Sequence, residues 1–168
     1  MQLYYHPYAC SLAPAIVAAE AGIALDLVHV DILGAPHRLG DGTDYRDVNT
    51  RNYVPLLVRD DGSEVSEAGI ILKVLADLNP TSGLAPAVGS PERLLLEQWL
   101  TFLGTELHKS YSPWLFHPEV GATAQAYARD LVARRYAIVE AQLDGRTWLL
   151  GETFSVADAY LFGMVNWA

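Results

Sequence analysis

One stretch constrains this chain more than any other: "NPTSGLAPAVGSPE", residues 79–92, because the hydrophobic period changes across it. It gathers proline, glycine and serine into a segment where neither helix nor strand propagates. Before it, short period-two runs alternate with helical patterns. After it, the period is helical throughout. The expected organisation is a mixed α/β domain over 1–79, a linker over 80–89 and an all-helical domain over 90–168.

The first part reads strand, helix, strand, short helix, hairpin, helix. "QLYY" at 2–5 is a short strand closed by His6 and Pro7. Ser11 is placed as an N-cap and Pro14 falls in the first turn, where its missing N–H is harmless. The Ala-rich run to Ala21 is helical, with Gly22 as its stop. "LDLVHVDI", 25–32, sets Val28, Val30 and Ile32 on one strand face. A loop rich in glycine and proline follows, then a short helix candidate at "DYRDVN". "VPLLVRDDGSEVSE" is a hairpin turning at Asp61-Gly62. Over 67–78, Ile71, Leu75 and Leu78 have helical spacing.

Beyond the linker, Ser90-Pro91-Glu92 opens a helix with a cap, a first-turn proline and a favourable charge. A second helix carries Ala128, Val132, Tyr136, Val139 and Leu143 as a stripe. A third opens at Ser155-Val156-Ala157-Asp158, a relative of the capping box, and is expected to bury Val156, Tyr160, Met164 and Trp167.

About half the residues are apolar, enough for a core, and the formal net charge is −9. That charge argues against nucleic acid and anionic membranes as partners, since both need clustered cations. The single cysteine forms no internal disulfide, which fits a reducing, cytoplasmic setting. The start "MQLYYHPY" has neither the basic end nor the apolar core of a secretion signal, and no apolar run reaches the roughly 20 residues of a membrane span. The histidines show no i, i+4 pairing and one cysteine builds no zinc cage, so no metal is expected. No phosphate loop or dinucleotide fingerprint occurs, and "GDGTD" is a turn rather than a calcium loop.

The one thiol, Cys10, lies where the first strand hands over to the first helix. A sulfur beside a helix N-terminus meets unpaired N–H groups and the positive end of the dipole, which lower a thiol pKa from about 8.5. Ser11 adds a hydroxyl that could donate to it. A small buried hydrophobe under the helix is the other reading. The residues alone leave both open.

Five segments in order carry a resemblance: "YACSLAP" at 8–14, "VPLL" at 54–57, "SEA" at 66–68, "ELHK" at 106–109 and "SVADAYLF" at 155–162. The chain resembles a bacterial glutathione S-transferase of the beta class along essentially all its length. The resemblance implies a thioredoxin-like N-terminal domain with an all-α C-terminal domain, a homodimer, and glutathione conjugation to a small electrophile. It implies that Cys10 contacts the glutathione sulfur. Val54 would pair its backbone with the cysteinyl unit across a cis bond to Pro55. Glu67 and the Ala68 N–H would hold the γ-glutamyl end. Thr101, Thr105, Glu106, His108 and Lys109 would line the glutathione side of the cleft, with His108 assisting or polarising the thiolate. Two alternatives remain on the same fold: a glutathione-dependent thiol–disulfide reductase and a non-catalytic binding module.

The sequence also departs from the pattern. His6 and Tyr8 make the mouth around the thiol bulkier. Ala68 replaces a small polar or glycine residue, and Asn52 stands where glycine is common, a position that suits positive φ. A lysine for the glycyl carboxylate is missing, leaving Arg51, His37 or Arg38 as substitutes. Relatives continue past "MVNWA" with further helix, so the last family helices are expected to be absent and a face bearing Met164 and Trp167 to be bare.

Overall fold

The apolar runs of the first part become strands because alternation gives each a dry face and a wet one. In the computed structural model, which describes residues 1–168, β1 (Gln2–Tyr5) leads through α1 (Leu12–Glu20) to the parallel β2 (Asp26–Asp31). β3 (Arg38–Leu39) lies antiparallel on the outer edge of β2, a pairing that the glycine- and proline-rich loop did not announce. β4 (Leu56–Val58) runs antiparallel to β1, and β5 (Glu64–Ser66) antiparallel to β4. The sheet order is β3-β2-β1-β4-β5, so β1 is central and its C-terminal end meets the loop before β4.

The hairpin turns at Asp61-Gly62 as the sequence requires. Gly62 takes φ +80, and the Arg59 and Gly62 N–H groups close the turn on Ser63 and Arg59 carbonyls. "DYRDVN" holds a single 3-10 turn at Tyr45–Asp47, opened by the Asp44 side chain accepting from Arg46 N–H. α2 (Ala68–Leu78) buries Ile71, Leu72, Leu75 and Ala76, while Leu78 stays 47 % exposed. The dry stripe is centred between the 71/75 and 72/76 rows, which leaves Leu78 at its margin.

The linker is fastened rather than free. Leu84 is buried and its carbonyl accepts from Val156 N–H at 2.9 Å, while the Asn79 amide donates to Ala21 O. α3 (Pro91–Phe102) starts at Ser90, whose hydroxyl accepts from Arg93 N–H. It then widens into a π-turn over Leu103–Leu107 before α4 (His108–Tyr111). α5 (Ala122–Leu143) lays Ala128 and Val139 into the interior, with Val132, Tyr136 and Leu143 half-buried beside them. No helix is long and apolar enough to cross a membrane.

α6 (Val156–Val165) is apolar nearly all round and packs against α1, α2 and α3, so one continuous core joins the sheet layer to the helices. Its start is held by the Asp158 carboxylate, which accepts from Ser155 N–H, Ser155 Oγ and Leu149 N–H. The expected bare face is corrected here: Met164 is fully buried against the core, and Trp167, just past the helix, is half-buried. The apolar groups left outside on this helix are Phe162 and Val165.

Candidate active site

Cys10 sits in a turn that winds directly into α1. Ala9, Leu12 and Ala13 N–H groups bond three residues back, so the backbone is already helical at Ser11. That corrects the expected cap. With helical φ and ψ, Ser11 cannot swing its hydroxyl onto the helix end. It accepts instead from His6 N–H at 2.9 Å and donates to His6 O at 3.1 Å, locking the two ends of the turn together. Nor does it donate to the sulfur, whose hydrogen-bond partner is the Val54 carbonyl, with Cys10 Sγ as donor at 3.8 Å.

The thiol is 8 % exposed. Burial pushes it up to about 12; the Lys109 ammonium and local N–H groups pull it down, and Glu67 adds a smaller upward push. The expected depression by the helix start is overturned, because taking the thiolate out of water outweighs a partial charge at the helix end. Cys10 is therefore an S–H group at neutral pH.

The loop facing Cys10 is built to hold Val54. Its carbonyls at Asn52 and Tyr53 are gripped by His37 Nδ1–H at 3.0 Å, the Tyr45 hydroxyl at 3.1 Å and the Asn49 amide at 2.8 Å. Asn52 takes φ +58, as its side chain permits, and the Val54-Pro55 bond is cis. Val54 N–H makes no hydrogen bond within the chain. Its N–H and C=O form an edge that an extended backbone can join.

Across from it, α2 begins at Glu67 with φ +69 and ψ 119, a conformation that a residue with a side chain adopts only under constraint. The first N–H groups of α2 lack helical partners by construction, and they open beside a carboxylate that is itself exposed. Of the three cations offered for the glycyl carboxylate, Arg38 is turned onto Gly42 O and His37 onto Asn52 O. Arg51 is exposed and donates to Ser66 Oγ at 3.0 Å, next to the α2 start.

The third wall comes from the helices. His108 Nδ1 lies 3.1 Å from the Tyr160 hydroxyl, and its ring stands edge-on to Trp167 at 5.0 Å. Burial, with Lys109 adding to it, lowers His108 to about 4, so the imidazole is neutral. Burial also raises Tyr160, reinforced by Cys10 and then Glu67, which keeps it a phenol and puts all three groups in one neighbourhood. Trp167 Nε1–H donates to Tyr8 O at 2.9 Å, tying the end of the helical part to the turn that carries Cys10.

The structure thus gathers Cys10, Val54, Pro55, Glu67, Ala68, His108 and Lys109 around one cleft. The remaining three stand on an outward face. Thr101, Thr105 and Glu106 line an outward concavity of about 450 Å³ with Leu94, Glu97, Gln98 and Phe102. The two threonine hydroxyls donate to carbonyls four residues back, and Glu106 is paired to Arg135 of α5 at 2.7 Å. The π-turn's extra residue shifts the face between Thr105 and His108, so their three-residue spacing does not put the two side chains on one stripe. Tyr160 and Trp167 were visible in the sequence only as core residues; nothing in their spacing marks them as neighbours of His108.

A five-stranded mixed sheet with a thiol at the end of its central strand, a cis-proline loop beside it and a helical layer closing the cleft defines a thioredoxin-like transferase architecture. The family described as "Glutathione S-transferase, C-terminal domain" matches residues 96–168. The glutathione S-transferase GstA of Escherichia coli O157:H7 is 38 % identical over 168 residues, which are 100 % of this chain and 82 % of that protein. A sphingomonad glutathione S-transferase solved with glutathione superposes with a TM-score of 0.92 at 42 % identity, over 99 % of this chain and 82 % of that one. A beta-class enzyme of Sphingomonas chungbukensis gives a TM-score of 0.92 at 39 % identity, over the same 99 % and 82 %. The chain belongs to the glutathione S-transferase family, in its bacterial beta class.

Proposed function

We propose that the cleft binds glutathione and that the protein conjugates the glutathione thiolate to a small electrophile. The observation that carries this is the Val54 backbone edge, its N–H unpaired and its carbonyl met only by Cys10 Sγ at 3.8 Å, with Glu67 at the α2 start near enough to act on the thiol. The cysteinyl backbone pairs with Val54 N–H and C=O. The α-carboxylate of the γ-glutamyl unit takes the N–H groups at Ala68, and Glu67 takes its ammonium. Of the three cations offered for the glycyl carboxylate, Arg51 is the one left exposed beside Ser66 and takes that role. The glutathione sulfur then lies by Cys10, whose S–H donates to it, and the neutral His108 ring and the Lys109 charge face the same region. Fixed donors where negative charge resides lower the glutathione thiol pKa without a proton passing through Cys10. The electrophile sits on the helical side, against Tyr8, Phe116 and Trp167. A homodimer follows the family pattern, and a reducing cytoplasmic setting suits the lone thiol.

The reductase alternative uses Cys10 as the attacking thiolate, and burial opposes that form. The two separate in the Cys10→Ala variant. Conjugation of an aryl halide persists, reduced by roughly an order of magnitude as one donor is lost, while glutathione affinity stays within tenfold. Disulfide reduction without any aryl-halide conjugation in the wild-type protein would refute the reading, as would absence of saturable glutathione binding by calorimetry.

A further inference from the structure

His108 carries two ring nitrogens, and which one holds the proton decides whether it can act as a base or only as a donor. Its Nδ1 has one partner, the Tyr160 hydroxyl at 3.1 Å. Tyr160 is 4 % exposed, and its hydroxyl makes no other hydrogen bond. On its other flank stands Gly104, which brings no acceptor side chain. A buried phenol hydrogen with a single neighbouring acceptor must point at that acceptor, because the opposite arrangement leaves a buried O–H unpaired. His108 Nε2, by contrast, bonds to nothing in the chain and is not among the buried atoms lacking a partner, so it reaches solvent.

We infer that Tyr160 is a positioning residue: its hydroxyl donates to His108 Nδ1, which fixes the ring in the Nε2–H tautomer and leaves the open nitrogen as a neutral hydrogen-bond donor, not a base. This rests on the glutathione reading only for its consequence, that the donor serves the glutathione sulfur. The tautomer itself stands on the geometry. The charged and titratable groups that share this neighbourhood are Lys109 on α4, Cys10 in the turn before α1 and Glu67 at the start of α2. Lys109 disfavours a cationic ring, and the low pKa of His108 agrees with a neutral one. The device joins two segments far apart in the chain, since His108 follows the π-turn and Tyr160 sits in the middle of α6.

The test uses the whole protein with 15N-labelled histidine. Long-range proton–nitrogen correlations, assigned through His108→Ala, are expected to show His108 as the neutral Nε2–H form at pH 7 in the absence of glutathione. In Tyr160→Phe, which keeps the ring and drops the hydroxyl, the pattern shifts to a tautomer mixture and kcat for conjugation falls about tenfold at unchanged glutathione KM. His108→Gln, whose amide N–H stands near the Nε2 position, retains most of the turnover that His108→Ala loses. An Nδ1–H or cationic ring in the wild-type protein overturns the inference, and so does a Tyr160→Phe variant with unaltered tautomer and kcat. Wild-type protein that holds the Nε2–H form but turns over no glutathione refutes the proposed function and leaves the tautomer assignment standing.

Discussion

Arg93 offers the most exacting test of how the two layers are held in register. Its side chain is 7 % exposed and its guanidinium makes four hydrogen bonds: two to Asp77, at 2.7 and 2.8 Å, one to Glu97 and one to Pro86 O. Asp77 lies on α2, Pro86 in the linker and Glu97 on α3, so a single planar fork ties all three. Replacing Arg93 by Met keeps the apolar stem and removes every one of these bonds. Hydrogen bonds to charged partners are worth about 1.5–3 kcal/mol each. The carboxylates of Asp77 and Glu97 are 43 % and 42 % exposed, so water recovers much of what they lose. The expected net loss is about 3 kcal/mol, which for a chain of this size lowers Tm by roughly 6–12 °C. Urea unfolding of Arg93→Met, Asp77→Asn and the double variant isolates the pair, with an expected coupling of about 2 kcal/mol. A coupling below about 0.5 kcal/mol would show that the fork is an ordinary surface pair. Because α2 begins at one wall of the cleft and α3 leads through the π-turn to His108 on another, the same variant should also raise the glutathione KM.

Three further outcomes follow from the site. His108 is held at about 4 against an ordinary 6.5, so the unfolded chain takes up the proton first: the stability it contributes is whole above pH 6.5 and disappears as pH falls toward 4. Comparing wild type with His108→Gln by urea titration should therefore reveal a difference that closes on acidification, by at most about 3 kcal/mol; a constant difference contradicts a buried neutral ring. Cys10, held near 12 by burial, should resist iodoacetamide across pH 7–9, and alkylation as fast as that of free cysteine would show that the thiol is ionised. Glu67→Gly relieves the φ +69 backbone and should raise stability by about 1 kcal/mol while weakening glutathione binding tenfold or more. A variant that loses stability instead would mean that the Glu67 side chain, not its backbone, governs the α2 start.

Local patterns spoke clearly wherever a neighbour in sequence does the physical work. The Asp61-Gly62 turn, the Ser90 cap and the Ser155–Asp158 box are each set by residues within a few positions, and each is found as read. The family resemblance added what spacing could not, including the cis bond at Pro55. Ser11 and Leu78 were misread for a common reason: a residue at the edge of an element takes its role from what packs beside it. The π-turn at Leu103–Leu107 is the larger miss, because one extra residue in a helix leaves the hydrophobic pattern nearly intact while turning every later side chain.

What the sequence determined by itself was the order of strands and helices and the place of the thiol before the first helix, since alternation, turn chemistry and capping act over short distances; the loop that faces the thiol came with the resemblance. The tertiary structure decided the charge state of Cys10, the placement of Thr101, Thr105 and Glu106 along an outward concavity, and the meeting of His108 with Tyr160 and Trp167. Desolvation depends on everything within several ångströms of an atom, whatever its position in the chain, and only the packed fold brings those atoms together.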